Sequence, residues 1–446
     1  MTRTPLAAVV LAAGLGTRMR SRRPKHFHPL LGRRLLDWAV DAVRGLGPEP
    51  LVVVVSPEAV AELEDTLPAG AVLAVQEEPR GTGDAAASAR PALEGFAGEV
   101  LVLAGDTPLL SAGELDRLLH AHREESRAAT VLSFEPDDPG NYGRILRDDA
   151  GRVTGIVEAA DATPEELAVR EVNSSVYVFA ADALWSALDR LDPHNAQGEL
   201  YLTDAIRHLV DDARGVGVYR ALDPRVGDGV NTRADLAAAA ARLRDRIVAG
   251  HLEAGVTIVD PGTTWIEPDV EIEPDAVVHP FTVLRGRTVV RRGAEVGPHA
   301  VVVDAEIGED AIVGPFCYLR PGTVLARNAK AGTFVELKNA SLGEGAKVPH
   351  LSYLGDADVG ERSNVGAGTI TANFPHQEGR PKGRTTIGRN VRTGIHNGLE
   401  APVTIGDDAW IGGGSYITED VPPQSLAIAR ARQVTKEGYL RGKRND

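Results

Sequence analysis

A chain of 446 residues in which 48 Lys and Arg face 63 Asp and Glu carries a formal charge of −15. Nucleic acid and anionic membrane are therefore poor candidates for its main partner, since like charges repel at a distance. Its single cysteine, Cys317, excludes an intrachain disulfide and a multi-cysteine zinc site and fits a reducing compartment.

The first apolar run, in MTRTPLAAVVLAAGLG, follows Arg3 and has the outline of a short signal peptide, but it leads straight into a phosphate-loop pattern, which is the reading adopted. No other apolar run approaches the roughly 18 residues of a membrane span. From Leu6 to about Arg233 the runs LAAVVLAA, LVVVV (51–55), AVLAV (71–75) and VLVLA (100–104) predict buried parallel strands. RLLDWAVDAVRGL and AGELDRLLHAHREE predict helices between them. The result is a Rossmann-like open α/β sheet, whose ligands sit beyond the carboxyl ends of the strands. There the sequence places Gly14 to Arg18, Ser56, Gln76 and Gly105-Asp106.

DLAAAAARLRDRIVAG predicts one alanine-rich helix, with Thr232 and Asp235 at capping-box spacing, joining two domains. The expected division is 1–232, a linker helix 233–250, and 251–446. Beyond the helix the period changes. Ile266, Ile272, Val278, Leu284, Val290, Val296 and Val302 fall six residues apart, and Ile307, Val313 and Leu319 continue the series after one slip. A helix repeats at three or four and an ordinary strand at two, so a step of six predicts a triangular parallel β-helix with about three steps per coil. From Thr371 to Thr386 the rhythm stops, which predicts a loop leaving the prism to wall a site.

The phosphate loop is LAAGLGTRMRSRRPK (11–25). After the strand end Leu11-Ala12, Gly14 and Gly16 let backbone N–H groups approach a triphosphate, and Arg18 and Lys25 are placed to neutralise the transferring phosphate and departing pyrophosphate. Met19 stands where a dinucleotide fingerprint has a small residue, and no G-x4-G-K-[ST] follows, which weakens NAD and P-loop readings. The full pattern resembles the signature of the sugar-phosphate nucleotidyltransferases. That resemblance extends through QEEPRGTGDA, LAGDTPLL, NYGRI, GIVEA, EVNSSVYVF and GDGVNTRADL. It implies that Gln76, Gly81 and Thr82 recognise uracil, that Gly143, Glu158 and Asn173 bind an N-acetylated sugar, and that Asp106 and Asn231 hold Mg²⁺. Taken singly, Asp106 also reads as a strand-end cap, Asn173 and Asn231 as turn residues, and Lys25 as a surface charge.

In the second half the motifs are YLRPG, FVELKNASLG, HLSYLGDADVG, NVGAGTITAN and LAIARARQVTKEG. With them nearly the whole chain resembles the bacterial bifunctional N-acetylglucosamine-1-phosphate uridylyltransferases / glucosamine-1-phosphate N-acetyltransferases. The resemblance implies a left-handed β-helix, UTP and acetyl-CoA as substrates, a cytoplasmic homotrimer with acetyl-transfer sites between subunits, and UDP-N-acetylglucosamine for cell-wall precursors as product. His350 is the natural base for the acceptor ammonium, because imidazole titrates near working pH. By the same resemblance Glu336 orients His350. Arg320, Lys338 and Tyr353 hold the sugar phosphate, with Asn364 and Asn373 assisting at the sugar and acetyl groups. Ala367, Asn373, Ile395, Gly413 and Arg430 contact acetyl-CoA, and Arg380, Lys382 and Arg384 are placed to meet its phosphates.

The interrupting loop departs from the family. Its Asn-Tyr-Asp-Gly is here Asn373-Phe374-Pro375-His376, and its Gly-Ser-Asp-Thr is Gly394-Ile395-His396-Asn397. A phenolic and an aliphatic hydroxyl are thereby lost, at about 0.5–1.5 kcal/mol each, so acetyl transfer is expected to fall about tenfold rather than vanish. His376 and His396 are candidate compensations. A rival makes the β-helix a noncatalytic trimerisation scaffold beside an active uridylyltransferase. Another makes the enzyme a nucleotidyltransferase for a different sugar or base, against which stand Gln76, Gly81 and Thr82 and the intact Arg320, Lys338, His350 and Tyr353.

Overall fold

The computed structural model describes residues 4–14, 16–375, 379 and 381–439. His376, Arg380 and the tail 440–446 lie outside the described residues. Two compact units are present, the first ending at Leu243 and the second beginning at Arg244.

The first unit is built on nine strands: β1 (Leu6–Ala12), β2 (Leu51–Val55), β3 (Ala71–Val75), β4 (Glu99–Ala104), β5 (Ala129–Phe134), β6 (Arg144–Arg147), β7 (Val153–Val157), β8 (Val172–Ala180) and β9 (Val216–Arg220). Their order is β9-β5-β8-β4-β1-β2-β3, with β6 on β8 and β7 on β6. β1 lies at the centre, parallel to β2 and β4. Ala8, Val10 and Ala12 pack into the core on one face and Ala7 and Val9 into the core on the other. Covering on both faces is why LAAVVLA is apolar throughout rather than alternating.

The four expected runs pair in parallel, within a sheet that is mixed because β8 runs antiparallel to β4 and β5; one expectation is corrected. β3 is half-exposed rather than buried, being the edge strand. Helices α1 (Leu35–Arg44) and α2 (Ala112–Glu124) form where the pattern predicts, and α3 (Leu202–Asp211) packs on β7. Helix α4 (Arg233–Glu253) spans the boundary between the units. No helix among the described residues is long and apolar enough to cross a membrane.

The second unit is a left-handed parallel β-helix. Short strands pair in parallel with partners eighteen residues on, as in Val277↔Glu295 and Val283↔Val301. Val289↔Glu306 is seventeen, which absorbs the one slip in the six-residue series. Ile266, Val278, Leu284, Val290, Val296, Val302, Ile307, Val313 and Leu319 all enter one core. Along one corner Phe281, His299, Phe316 and Phe334 each adopt φ between +55° and +58°. Their rings stack at 4.7, 4.8 and 5.0 Å, contacts that offset the cost of the left-handed corner. The excursion is also present. Tyr353 pairs with Ile370, seventeen residues on, whereas Ala357 pairs with Thr385, twenty-eight on, so eleven residues leave the coil between these ladders.

Candidate active sites

At the end of β1, Leu11 is half-buried and Ala12 buried, and Gly14 faces open space. Gly16 has φ +60°, and a Cβ there would stand 2.5 Å from Lys25 Cβ, so only glycine fits. The 3₁₀ turn Thr17–Met19 then presents Arg18, whose guanidinium donates to Asn231 Oδ1 at 3.0 Å. Lys25, buried in the turn Lys25–Phe27, donates to the Asp106 carboxylate and, at 3.2 Å, to Asn231 Oδ1. Four expected residues thus converge.

Asp106 follows β4, and its carbonyl accepts from Val230 N–H at 2.8 Å. Thr232 and Asp235 form the expected capping box, Asp235 N–H to Thr232 Oγ1 at 3.1 Å and Thr232 N–H to Asp235 Oδ2 at 2.8 Å. The same carboxylate also accepts Asn231 N–H at 3.0 Å, so the cap of α4 fixes a site residue. Burial alone would raise the Asp106 carboxyl, but the Lys25 ammonium and His26 hold it below the usual range. Burial, helped by Lys25, pushes the His26 imidazole down to about 4.

Among the described residues no three His, Cys, Asp or Glu cluster as a metal site. Asp106 and Asn231 nevertheless point oxygens at one positive charge, the Lys25 ammonium, and a Cβ at Gly229 would lie 3.7 Å from both side chains. Two hard oxygens turned toward one cation position fit Mg²⁺, which takes one or two protein oxygens and keeps several waters.

Gln76 is buried, with Nε2 donating to Gly81 O at 3.0 Å and Asp84 Oδ2 at 2.9 Å. Its amide donor is used internally, leaving Oε1 for a ligand. Thr82 Oγ1 accepts Leu202 N–H at 3.1 Å and Gly81 packs on Leu200 O, which ties this segment to the start of α3. Gly143, Glu158 and Asn173 also come together. Gly143 O accepts Asn173 N–H at 2.9 Å, and a Cβ at Gly143 would stand 3.4 Å from Glu158 Oε2. Burial, opposed by a hydrogen bond from Thr203 Oγ1 and assisted by Asp204, Asp161 and Glu199, raises the Glu158 carboxyl. Sequence reasoning missed Tyr142, whose hydroxyl accepts Gly229 N–H at 3.2 Å and so links the Gly143 loop to the Asp106–Asn231 segment.

In the β-helix, Arg320 pairs with Glu336 at 2.9 Å. Glu336 therefore holds Arg320 within this chain rather than His350, which is exposed and pairs through its backbone with Thr333. Lys338 sits beside Lys382, and that contact, with Arg320 adding to it, lowers the Lys338 ammonium. Arg320, Lys338 and Lys382 form one cationic group next to Asp356. Tyr353 and Asn373 meet over Gly355, where a Cβ would lie 2.2 Å from Tyr353 Oη and 2.8 Å from Asn373 Nδ2. Asn373 donates to Asp356, which also accepts from Asn339 at 2.6 Å. Asn364 lies on another face, between Lys347 and Arg392.

The excursion serves this cluster. Lys382 lies with Lys338 and stands 5.9 Å from the ring of exposed Phe374, and Arg384 is bound by Asp358 and Asn339 O. A second column joins Ala367, Ile395, Gly413 and Arg430. Ala367 O accepts His396 N–H at 2.7 Å, Ile395 O accepts Gly414 N–H at 2.8 Å, and Gly413 O accepts from Arg430 at 2.8 Å.

A MobA-like NTP transferase domain matches residues 8–210. Over nearly its whole length the chain is similar to proteins named bifunctional protein GlmU. It is 48% identical to that of Mycolicibacterium vanbaalenii, over 98% of this chain and 93% of the relative. Identity is 47% to that of Mycobacterium tuberculosis, over 98% and 92%, and 46% to that of Thermobifida fusca, over 99% and 95%. With such identity across both units, the chain belongs to the GlmU family of bifunctional proteins.

Proposed function

We propose that the β-helix transfers acetyl from acetyl-CoA to glucosamine-1-phosphate, and that the first unit joins the product to UTP, giving UDP-N-acetylglucosamine and pyrophosphate. The observation that carries this is the presence of two separate phosphate-compatible clusters, Arg18–Lys25–Asp106–Asn231 and Arg320–Lys338–Lys382, one in each unit.

In the first unit the sugar-1-phosphate oxygen is already an anion and attacks the α-phosphorus of UTP in line, expelling pyrophosphate. Side chains need only position and neutralise. Arg18 and Lys25 face the phosphates, Gln76, Gly81 and Thr82 take the base, and Gly143, Glu158 and Asn173 take the sugar. Asp106 and Asn231 would hold Mg²⁺, which when bound would supply further neutralisation of phosphate charge.

In the second unit the acceptor amine attacks the thioester carbonyl. The tetrahedral adduct collapses with release of the coenzyme A thiol, and His350 accepts the amine's proton. Arg320, Lys338 and Lys382 bind the sugar phosphate, Tyr353 and Asn373 the sugar and acetyl groups, and the Ala367–Ile395–Gly413–Arg430 column the coenzyme. The enzyme works as a homotrimer in the cytoplasm, where UTP and acetyl-CoA are made, and feeds cell-wall precursors. Its acetyl sites are completed between subunits, a reading supported by the exposure of His350 on the single chain.

His350→Ala is the test. It is expected to lower thiol release from acetyl-CoA by at least 10²-fold, the range of one general base, while pyrophosphate release from UTP stays at the wild-type rate. Unaltered thiol release would remove His350 from the chemistry.

A further inference from the structure

The polar groups around Asn173 run in one direction only. β8 carries a bulge in which Asn173 faces Ser133 of β5 and Tyr177 faces Val131, four residues spanning two. Inside it Ser175 takes φ +61° and donates its backbone N–H to Asn173 Oδ1 at 3.0 Å. A backbone N–H can only donate, so this contact fixes which end of the amide is oxygen. Nδ2 then donates to the Tyr177 hydroxyl at 2.6 Å. Asn173 and Tyr177 are 3% and 2% exposed. One amide N–H remains for a ligand, in a fixed orientation, beside Gly143 and Glu158.

The ring of Tyr177 stacks on Phe179 at 5.7 Å, a role phenylalanine would fill equally. Burying the hydroxyl costs free energy unless it is bonded, so its bonds, from the Asn173 amide and with the Ser175 side chain, are what account for tyrosine here. Burial, with Glu158 nearby, pushes the phenol up, so it stays a neutral acceptor at working pH.

We propose that Tyr177 is a positioning residue for the sugar phosphate in uridylyl transfer, acting through Asn173 by aiming the remaining amide N–H at an acceptor oxygen of an N-acylated hexosamine 1-phosphate. The proposal rests on the reading of Asn173 as a sugar contact.

The experiment is a double-mutant cycle on the full-length enzyme with Tyr177→Phe, Asn173→Ala and the pair, reading pyrophosphate release, with thiol release as a check that the chain is folded. Tyr177→Phe is expected to raise KM for N-acetylglucosamine-1-phosphate roughly tenfold, with kcat and KM for UTP within about twofold. Added to Asn173→Ala it should change nothing further, because the group it aims is gone. If Asn173→Ala raises the sugar KM and Tyr177→Phe does not, the positioning role is overturned and the sugar site stands. If Tyr177→Phe keeps its full effect without Asn173, or raises both KM values alike, the role through Asn173 is likewise overturned. If Asn173→Ala leaves the sugar KM unchanged, the underlying site reading fails and the proposal with it.

Discussion

Replacing Gly16 by alanine loads two penalties onto one atom. At φ +60° an L residue costs about 1–2 kcal/mol. The new methyl would also stand 2.5 Å from Lys25 Cβ and 3.5 Å from its Cα, so the first of these contacts lies roughly 1 Å inside ordinary van der Waals distance. Lys25 Cβ is held close to the backbone and cannot swing away as a side-chain tip would, so the turn Lys25–Phe27 must retreat. Its ammonium then leaves the position that bridges Asp106 and Asn231. Misplacing an orienting group by about 1 Å costs on the order of 10²-fold in rate, or about 3 kcal/mol of transition-state stabilisation. Pyrophosphate release from UTP and N-acetylglucosamine-1-phosphate reads the loss. Thiol release belongs to the other unit and should stay within about twofold of wild type. Uridylyl transfer by Gly16→Ala within threefold of wild type would refute the claim that the Gly16–Lys25 approach sets the phosphate site.

Gly355→Ala should act in the mirror sense, displacing Tyr353 Oη and Asn373 Nδ2 and lowering thiol release at least tenfold with pyrophosphate release intact; equal loss of both activities would point to unfolding instead. Lys382→Ala should raise KM for glucosamine-1-phosphate about tenfold or more, the worth of a charged hydrogen bond, and leave KM for acetyl-CoA alone, whereas the opposite pattern would assign Lys382 to the coenzyme. His26 supplies a pH prediction. Its imidazole titrates near 4 when folded and near 6.5 when unfolded. Between those values the unfolded chain binds the extra proton, so stability rises with pH through the window and falls on acidification. The loss due to His26 is about 2 kcal/mol by pH 5. Urea unfolding of wild type and His26→Leu at pH 7 and pH 5 should show the smaller loss in the variant; equal losses would contradict the buried neutral imidazole.

The period of six made the β-helix legible, and even its slip between Val302 and Ile307 reappears as a seventeen-residue pairing. Apolar runs located the strands of the sheet, but a run carries no direction, so the antiparallel β8 was not visible in Val172–Ala180. The Thr232–Asp235 spacing announced a helix start because capping is local chemistry. What the spacing could not announce was that the same carboxylate would hold Asn231. Contacts made across coils or between loops were legible least. Arg320 finds Glu336 one coil on, and Lys382 finds Lys338 because the excursion folds back on the prism. Charge alone made Lys382 and Arg384 look equivalent, yet Asp358 binds one and not the other. Tyr142 and Tyr177 were hidden for a related reason, since each reads as a core aromatic until its hydroxyl partner is known.

The central claim is that one chain carries two transferase activities. It is tested most directly on a single preparation, by thiol release from acetyl-CoA and glucosamine-1-phosphate without UTP, beside pyrophosphate release from UTP and N-acetylglucosamine-1-phosphate. Both releases are predicted, the first about tenfold slower than an intact loop would allow if Phe374 and Ile395 each forfeit a neutral hydrogen bond. Pyrophosphate release with thiol release at background, from an assembled oligomer, would contradict the claim and leave the β-helix a scaffold.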